Sequence, residues 1–109
     1  MQEQMIESFL LNIETNEYLQ PLLPKEEWVL MIQVNDRQWR LSVSKDAVQL
    51  CSCQKEVNSR LICSFDDWRD MLTGQCKLRQ VLKLGDAIYE GTFRSLLMLE
   101  SIFYLQTFH

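Results

Sequence analysis

Hydrophobic residues near the start of the chain recur every three or four positions. This spacing places them on one face of a helix. The residues concerned are Met5, Ile6, Phe9, Leu10 and Ile13. Pro21 and Pro24 follow soon after, and proline lacks the backbone N–H that a helix interior uses. The pattern predicts a helix over residues 5–13 and a connection over residues 18–25.

The pattern then changes to strict alternation, which is typical of strands with one apolar face. Two alternating runs, 28–34 and 38–43, flank the turn-like break Asn35-Asp36-Arg37 and predict an antiparallel hairpin. The apolar positions of these runs are Trp28, Leu30, Ile32, Val34, Trp39, Leu41 and Val43. Residues 47–53 and 60–65 predict two more strands on either side of a polar loop. Four strands in succession favour a meander.

A helical period returns at Ser64. Ser64 precedes Asp67 by three residues, the arrangement of a capping-box-like helix start. This helix is predicted to end at Gly74, because glycine tolerates the left-handed conformation that closes many helices. Residues 77–84 predict a second short helix, and residues 87–93 a fifth strand, in which Gly91 marks a bulge or a close approach of the backbone.

The last segment, residues 94–108, is helical in composition but apolar on all sides of the helix. A helix that lies on a sheet needs one apolar face only. The apolar residues outside that face must therefore be covered by the rest of the fold, by a partner chain or by a ligand.

Length and charge narrow the class of protein. The chain has 109 residues, 47% of them hydrophobic, and a formal net charge of −4. This length predicts a single domain over residues 1–109, and the absence of a basic stripe argues against nucleic acid as a partner. Residues 1–14 lack a secretory pattern and no stretch is apolar enough to span a bilayer, so a cytoplasmic location and reduced thiols are expected.

Candidate catalytic chemistry is sparse. The single histidine is the last residue, His109, which leaves no Ser/His or Cys/His arrangement for nucleophilic catalysis. Cys51 and Cys53 would share one strand face near Cys63, but one-residue spacing in a strand is a poor match to zinc sites. We therefore predict no enzyme activity, no metal site and no cofactor. The acidic residues around Asp67 are interpreted as helix-capping groups.

The three glycines provide a more specific signal. The stretch from Phe65 to Phe103, FDDWRDMLTGQCKLRQVLKLGDAIYEGTFRSLLMLESIF, resembles the closing half of a sterol carrier protein 2 (SCP2) domain. In that family a helix ends in a glycine, a short helix follows, and a Gly-x5-Gly strand leads into an apolar last helix. Three positions depart from the family pattern. Leu78 stands where proline is common, Lys83 falls in a mostly apolar stretch, and Thr92 replaces an Asp.

The resemblance implies an α+β fold with a five-stranded, mainly antiparallel sheet covered by helices on one side. It also implies an apolar tunnel between sheet and helices for a fatty acyl chain, a sterol or another lipid, without catalysis. The candidate ligand-binding residues lie on the faces expected to meet there, and for each of them taken singly, plain core packing is favoured over ligand contact. They are Trp39, Leu41, Leu72, Leu82, Phe93, Leu97 and Phe103.

A second function stays open at this point. The apolar last helix could pack against a second copy or against an enzyme partner, with the interior filled by side chains. The chain would then be a protein-interaction or dimerisation module without a ligand.

Overall fold

A computed structural model describes residues 2–51, 56–85 and 87–105 of the chain, with side chains described from Met5 onward. The helices and strands follow the order predicted from the pattern. They are α1 (Gln2–Thr15), β1 (Trp28–Val34), β2 (Arg37–Val43), β3 (Val48–Leu50), β4 (Ser59–Cys63), α2 (Phe65–Leu72), α3 (Leu78–Lys83), β5 (Ile88–Glu90) and α4 (Phe93–Leu105), with a short 3-10 turn at Gln20–Leu22.

The five strands form one mixed sheet in the order β3-β2-β1-β4-β5. Strands β1, β2 and β3 pair antiparallel in succession, as a meander does. The prediction that β4 continues this meander is wrong, because β4 crosses back and pairs with β1 in parallel. Alternation shows which face of a strand is apolar, but it does not show which other strand pairs with it. Strand β5 then pairs antiparallel with β4, so the sheet is mainly antiparallel.

All four helices contribute to a core on one face of the sheet. The sheet residues at its centre, Leu30, Ile32, Leu41 and Leu61, have at most 1% of their surface exposed. The helical residues that pack against them are fully or almost fully buried. They are Ile6, Phe9, Leu10 and Ile13 from α1, Trp68 and Met71 from α2, Leu78 and Val81 from α3, and Leu99, Ile102 and Phe103 from α4.

The opposite face of the sheet carries the buried Val29 and Met31 of β1 together with polar side chains that pair across strands. Gln38 Nε2 donates to Gln33 Oε1 at 2.9 Å, and the Arg60 guanidinium lies 3.9 Å from the Glu90 carboxylate. The two faces therefore differ in the way the alternation of β1 and β2 predicts.

The hairpin turn is tied to the start of α2. Asn35 adopts a positive φ of 55°, a conformation that asparagine tolerates better than most residues. Its backbone N–H donates to the Cys63 carbonyl at 3.0 Å, and its side-chain oxygen accepts from the Phe65 N–H at 3.1 Å. These bonds fix where α2 leaves the sheet.

Several element boundaries differ from the predicted ones. The predicted strand over 47–53 is observed only over Val48–Leu50, and residues 52–55, which include Cys53, lie outside the described part. The strand predicted to reach Phe93 ends at Glu90, so that Phe93 is the first residue of α4. Helix α4 is described to Leu105, and the predicted extension to residue 108 lies outside the described residues. None of the described helices is long and apolar enough to cross a membrane.

Candidate functional site

Three aromatic rings fill the middle of the space between the sheet and the helices. The ring centroids of Phe9 and Trp68 are 4.9 Å apart, those of Trp68 and Phe103 5.3 Å, and those of Phe9 and Phe103 5.4 Å. Trp68 and Phe103 meet edge to face at 84°, a favourable geometry for aromatic pairs. All three side chains have at most 2% of their surface exposed. This aromatic triad packs the region in which the resemblance implies a tunnel.

Space for a ligand lies instead at one end of the helical layer. An open cleft of about 560 Å³ separates the α2–α3 connection from the C-terminal half of α4. Its apolar floor is made by Met71, Leu78 and Phe103, which belong to the core. The remaining lining residues are Leu22, Gly74, Cys76, Lys77, Glu100, Ser101, Tyr104 and Leu105.

The end of α2 shapes one wall of this cleft. Gly74 has a φ of 81°, which places it in the left-handed region that glycine favours at helix ends. Beyond it, the backbone N–H groups of Gln75 and Cys76 both donate to the Asp70 carbonyl, at 2.8 and 3.2 Å. The chain therefore turns sharply after α2 and brings Cys76 and Lys77 to the cleft.

An ion pair joins the two walls. The Nε of Arg79 lies 3.1 and 3.0 Å from the two carboxylate oxygens of Glu100, and its Nη2 lies 3.0 Å from Oε1. The backbone N–H of Arg79 also donates to Glu100 Oε2 at 3.3 Å. Hydrogen bonding to Glu100, followed by its charge, raises the pKa of Arg79 above its ordinary value. The cleft carboxylate is thus neutralised by its own neighbour.

Lys77 is the other charged residue of the lining. Its side chain is exposed, and its backbone N–H donates to Gln80 Oε1 at 2.9 Å, which caps the start of α3. Among the described residues, no carboxylate forms an ion pair with the Lys77 ammonium.

A buried hydroxyl cluster sets the position of α4 at its other end. Trp28 Nε1 donates to Ser59 Oγ at 3.0 Å, and Ser59 Oγ donates to Ser95 Oγ at 3.3 Å. The hydroxyls of Tyr89 and Thr92 also hydrogen-bond with Ser95 Oγ, at 2.5 and 3.1 Å. These groups serve as hydrogen-bond partners for one another, so the cluster links β1, β4, β5 and α4.

The predicted ligand-binding residues fall into three groups. Leu41 and Phe103 are buried in the core, and Phe103 alone of the seven lines the cleft. Leu72 and Leu82 are half-buried against that core. Trp39 is half-buried as well, beside a smaller groove of about 210 Å³ at the edge of β2 and β3.

Phe93 and Leu97 are placed differently from the expectation. They are 65% and 37% exposed, so they face solvent in this structure and not the interior. The shift has a local cause, because α4 begins at Phe93 and its buried stripe passes through Ser95, Leu99 and Ile102. Whether any of the seven residues contacts a ligand stays a prediction.

The thiols show no sign of shared chemistry in the described part. Cys63 and Cys76 are free thiols, and no group of three metal-ligating side chains occurs among the described residues. Burial, with a smaller effect from the charge of Asp67, raises the pKa of Cys63 from 9.0 to about 12. Cys63 is therefore a protonated core residue at neutral pH.

Most residues of the cleft have no distinctive signal in the sequence. Leu22, Lys77, Arg79 and Glu100 are ordinary residues in the local pattern. The one usable signal was Gly74, since a helix that ends there must be followed by an exposed turn. The approach of that turn to α4 depends on tertiary packing.

The fold matches that of solved proteins. No protein-family model matches the sequence, and no curated protein matches it. A ubiquinone synthesis protein described as UbiJ-SCP2 is 15% identical, with 95% of this chain and 90% of that chain covered and a TM-score of 0.68. The sterol carrier protein domain 2 of Helicoverpa armigera is 9% identical (97% and 87% covered, TM-score 0.69). Palmitated SCP2L2 from Aedes aegypti is 15% identical (94% and 93% covered, TM-score 0.68).

Proposed function

We propose that this chain, which has the SCP2 fold, binds a lipid with a long apolar chain in the cleft between the α2–α3 connection and α4, without catalysis. The observation that carries the proposal is the cleft itself. Its volume of about 560 Å³ lies within the usual range for small-molecule sites, about 300–1,000 Å³. The palmitated state of the Aedes aegypti neighbour supports a fatty acyl chain as the first ligand to test.

The lining suits such a ligand. Met71, Leu78 and Phe103 offer an apolar floor, and each methylene group moved from water to such a surface contributes about 0.8 kcal/mol. A long acyl chain can therefore bind through area alone, with few polar contacts. Among the described lining residues, no nucleophile is paired with a base, which supports a carrier role and not an enzymatic one. The free thiols of Cys63 and Cys76 agree with a reducing compartment such as the cytoplasm.

A fluorescent fatty acid tests the proposal directly. We expect stoichiometric binding that palmitate displaces. Ser101→Trp places a large ring in the cleft and should reduce binding strongly. Gln49→Trp adds the same ring to exposed β3, away from the cleft, and should leave binding unchanged. Absence of displaceable binding by the wild type, or equal binding by both variants, would contradict the cleft as the site.

Cys76 offers an independent measurement of occupancy. It lines the cleft, whereas Cys51 lies at the small groove near Trp39. Palmitate should slow alkylation of Cys76 and leave that of Cys51 unchanged, as peptide mass spectrometry can resolve. Protection of both thiols, or of neither, would count against binding at this cleft.

One observation favours the second candidate function, a self-association module. Phe93 and Leu97 lie one turn apart on α4 and are both exposed. Size-exclusion chromatography of the wild type and of the Phe93→Glu and Leu97→Glu variants tests it. A wild type that is monomeric at high concentration would remove this candidate. Phe103→Glu is unsuitable, because Phe103 is buried in the aromatic triad.

A further inference from the structure

The cleft is electrostatically asymmetric. Its floor is apolar, and among the described residues its lining carries one carboxylate and one ammonium group, those of Glu100 and Lys77. The two charges are not equivalent, because Arg79 holds the Glu100 carboxylate through three contacts of 3.0 to 3.1 Å. Within the described part of the chain, Lys77 has no such carboxylate partner.

A ligand in the cleft would therefore meet a field that is positive on balance. The Glu100 side chain is only 16% exposed, and its charge is matched by that of Arg79 at hydrogen-bond distance. The Lys77 ammonium stands on a flexible four-carbon stem, so it can follow the polar end of a ligand at the cleft mouth.

Resting on the function proposed above, we infer that Lys77 makes the cleft selective for amphiphiles with an anionic polar end over neutral or cationic ones of equal chain length. The Arg79–Glu100 pair has a supporting role. It keeps a carboxylate of the lining from repelling the ligand. Lys77 is then a specificity-determining residue, while the apolar floor provides most of the affinity.

Three probes with the same chain separate head-group charge from apolar contact. Dodecanoate, 1-dodecanol and dodecyltrimethylammonium share a twelve-carbon chain and can be compared below their micellar concentrations. We expect dodecanoate to bind most tightly and the cation most weakly. The preference should shrink as salt rises, because exposed charges are screened within about 10 Å at 0.1 M salt.

Lys77→Met removes the charge and keeps most of the stem. It should raise the Kd for dodecanoate roughly fivefold, as for the loss of a partly exposed ion pair, and leave the Kd for 1-dodecanol unchanged. Lys83→Met is the matched control, because Lys83 is exposed near the other end of α3 and does not line the cleft. The role of Lys77 would be overturned if both substitutions changed the Kd for dodecanoate equally, or if Lys77→Met did not change it.

The ion pair gives a second, independent test. Arg79→Met should weaken dodecanoate binding more than 1-dodecanol binding, because it leaves the Glu100 charge unmatched. Adding Glu100→Gln should restore the dodecanoate affinity. Failure of this restoration would contradict the electrostatic argument. If all three probes bind with the same Kd, charge selection fails while the proposed function stands, and if none binds, the proposed function itself fails.

Discussion

At Gly91 the backbone passes through a space that leaves no room for a side chain. An added Cβ would lie 2.7 Å from Ser59 Oγ and 2.9 Å from the Tyr89 hydroxyl, and φ is +153°. Gly91→Ala should therefore disturb the hydroxyl cluster and strain the backbone. We expect it to lower the free energy of unfolding in urea by about 2 to 4 kcal/mol, since backbone strain alone costs about 1–3 kcal/mol.

Gly85 is the matched control for this substitution. It also has a positive φ, of +82°, but an added Cβ there would meet nothing within 4 Å. Gly85→Ala should therefore cost only about 1–2 kcal/mol, the left-handed backbone penalty. Equal losses at the two glycines would show that the close approach at Gly91 contributes little.

Cys63 links stability to pH. Its pKa is 9.0 in the absence of burial and about 12 in the folded protein. Above pH 9 the unfolded chain therefore loses a proton that the folded chain retains, which favours unfolding. The contribution of this thiol is fully present below pH 9 and is lost as the pH rises toward 12.

Between pH 8 and pH 10 the wild type should lose more stability than Cys63→Ala does, by about 1 kcal/mol, since one pH unit per proton is worth about 1.4 kcal/mol. Urea unfolding at the two pH values measures the difference. Parallel losses in the two proteins would mean that the Cys63 thiolate is not disfavoured by folding.

At the scale of single elements, Thr92 makes a helix-capping bond although it departs from the pattern of SCP2 domains. It precedes α4, and its side-chain oxygen accepts from the Ser95 N–H at 3.1 Å, the bond that an N-cap residue makes. Aspartate, the family residue, makes the same bond. Thr92→Ala should lower stability by about 1 kcal/mol, and Thr92→Asp should retain it. Thermal or urea unfolding of the wild type and the two variants tests this prediction. An Asp variant that is as unstable as the Ala variant would contradict the capping role of residue 92.

The elements themselves could be predicted because their signals are local. Alternation and helical periodicity depend on neighbours within a few residues, and so do the cap at Ser64 and the helix end at Gly74. Pairing of β4 with β1 joins residues about 30 positions apart. No local pattern encodes that choice, which is why the predicted meander failed at β4. Phe93, the first residue of α4, was assigned to a strand for a related reason, since an apolar residue at a boundary fits both periods.

For the molecule as a whole, the cleft could not be predicted from the sequence. Its lining comes from residue 22, from residues 71–78 and from residues 100–105, and only packing brings these segments together. Of the predicted ligand-binding residues, only Phe103 lines the cleft, although it was predicted to line a tunnel between the sheet and the helices. Nothing in the sequence marks Lys77, Arg79 and Glu100 as a group, because they come together only when α3 packs beside α4.

The aromatic triad makes a last prediction about where a ligand binds. Phe9 packs against both Trp68 and Phe103 and does not line the cleft. Phe9→Ala should lower the free energy of unfolding by about 3–5 kcal/mol, the usual cost of removing a buried aromatic ring. Leu11→Ala, at an exposed position of the same helix, should cost far less.

The ligand affinity of this variant then distinguishes two binding locations, the cleft and the interior between the sheet and the helices. If the ligand occupies the cleft, palmitate should bind folded Phe9→Ala with a Kd close to that of the wild type, because Phe9 lies behind Phe103 and does not itself line the cleft. If the ligand instead enters between the sheet and the helices, removal of the ring creates room and the Kd should fall. A fluorescence titration at a temperature where the variant remains folded distinguishes these results. A tighter Kd would locate the ligand in the interior and contradict the cleft.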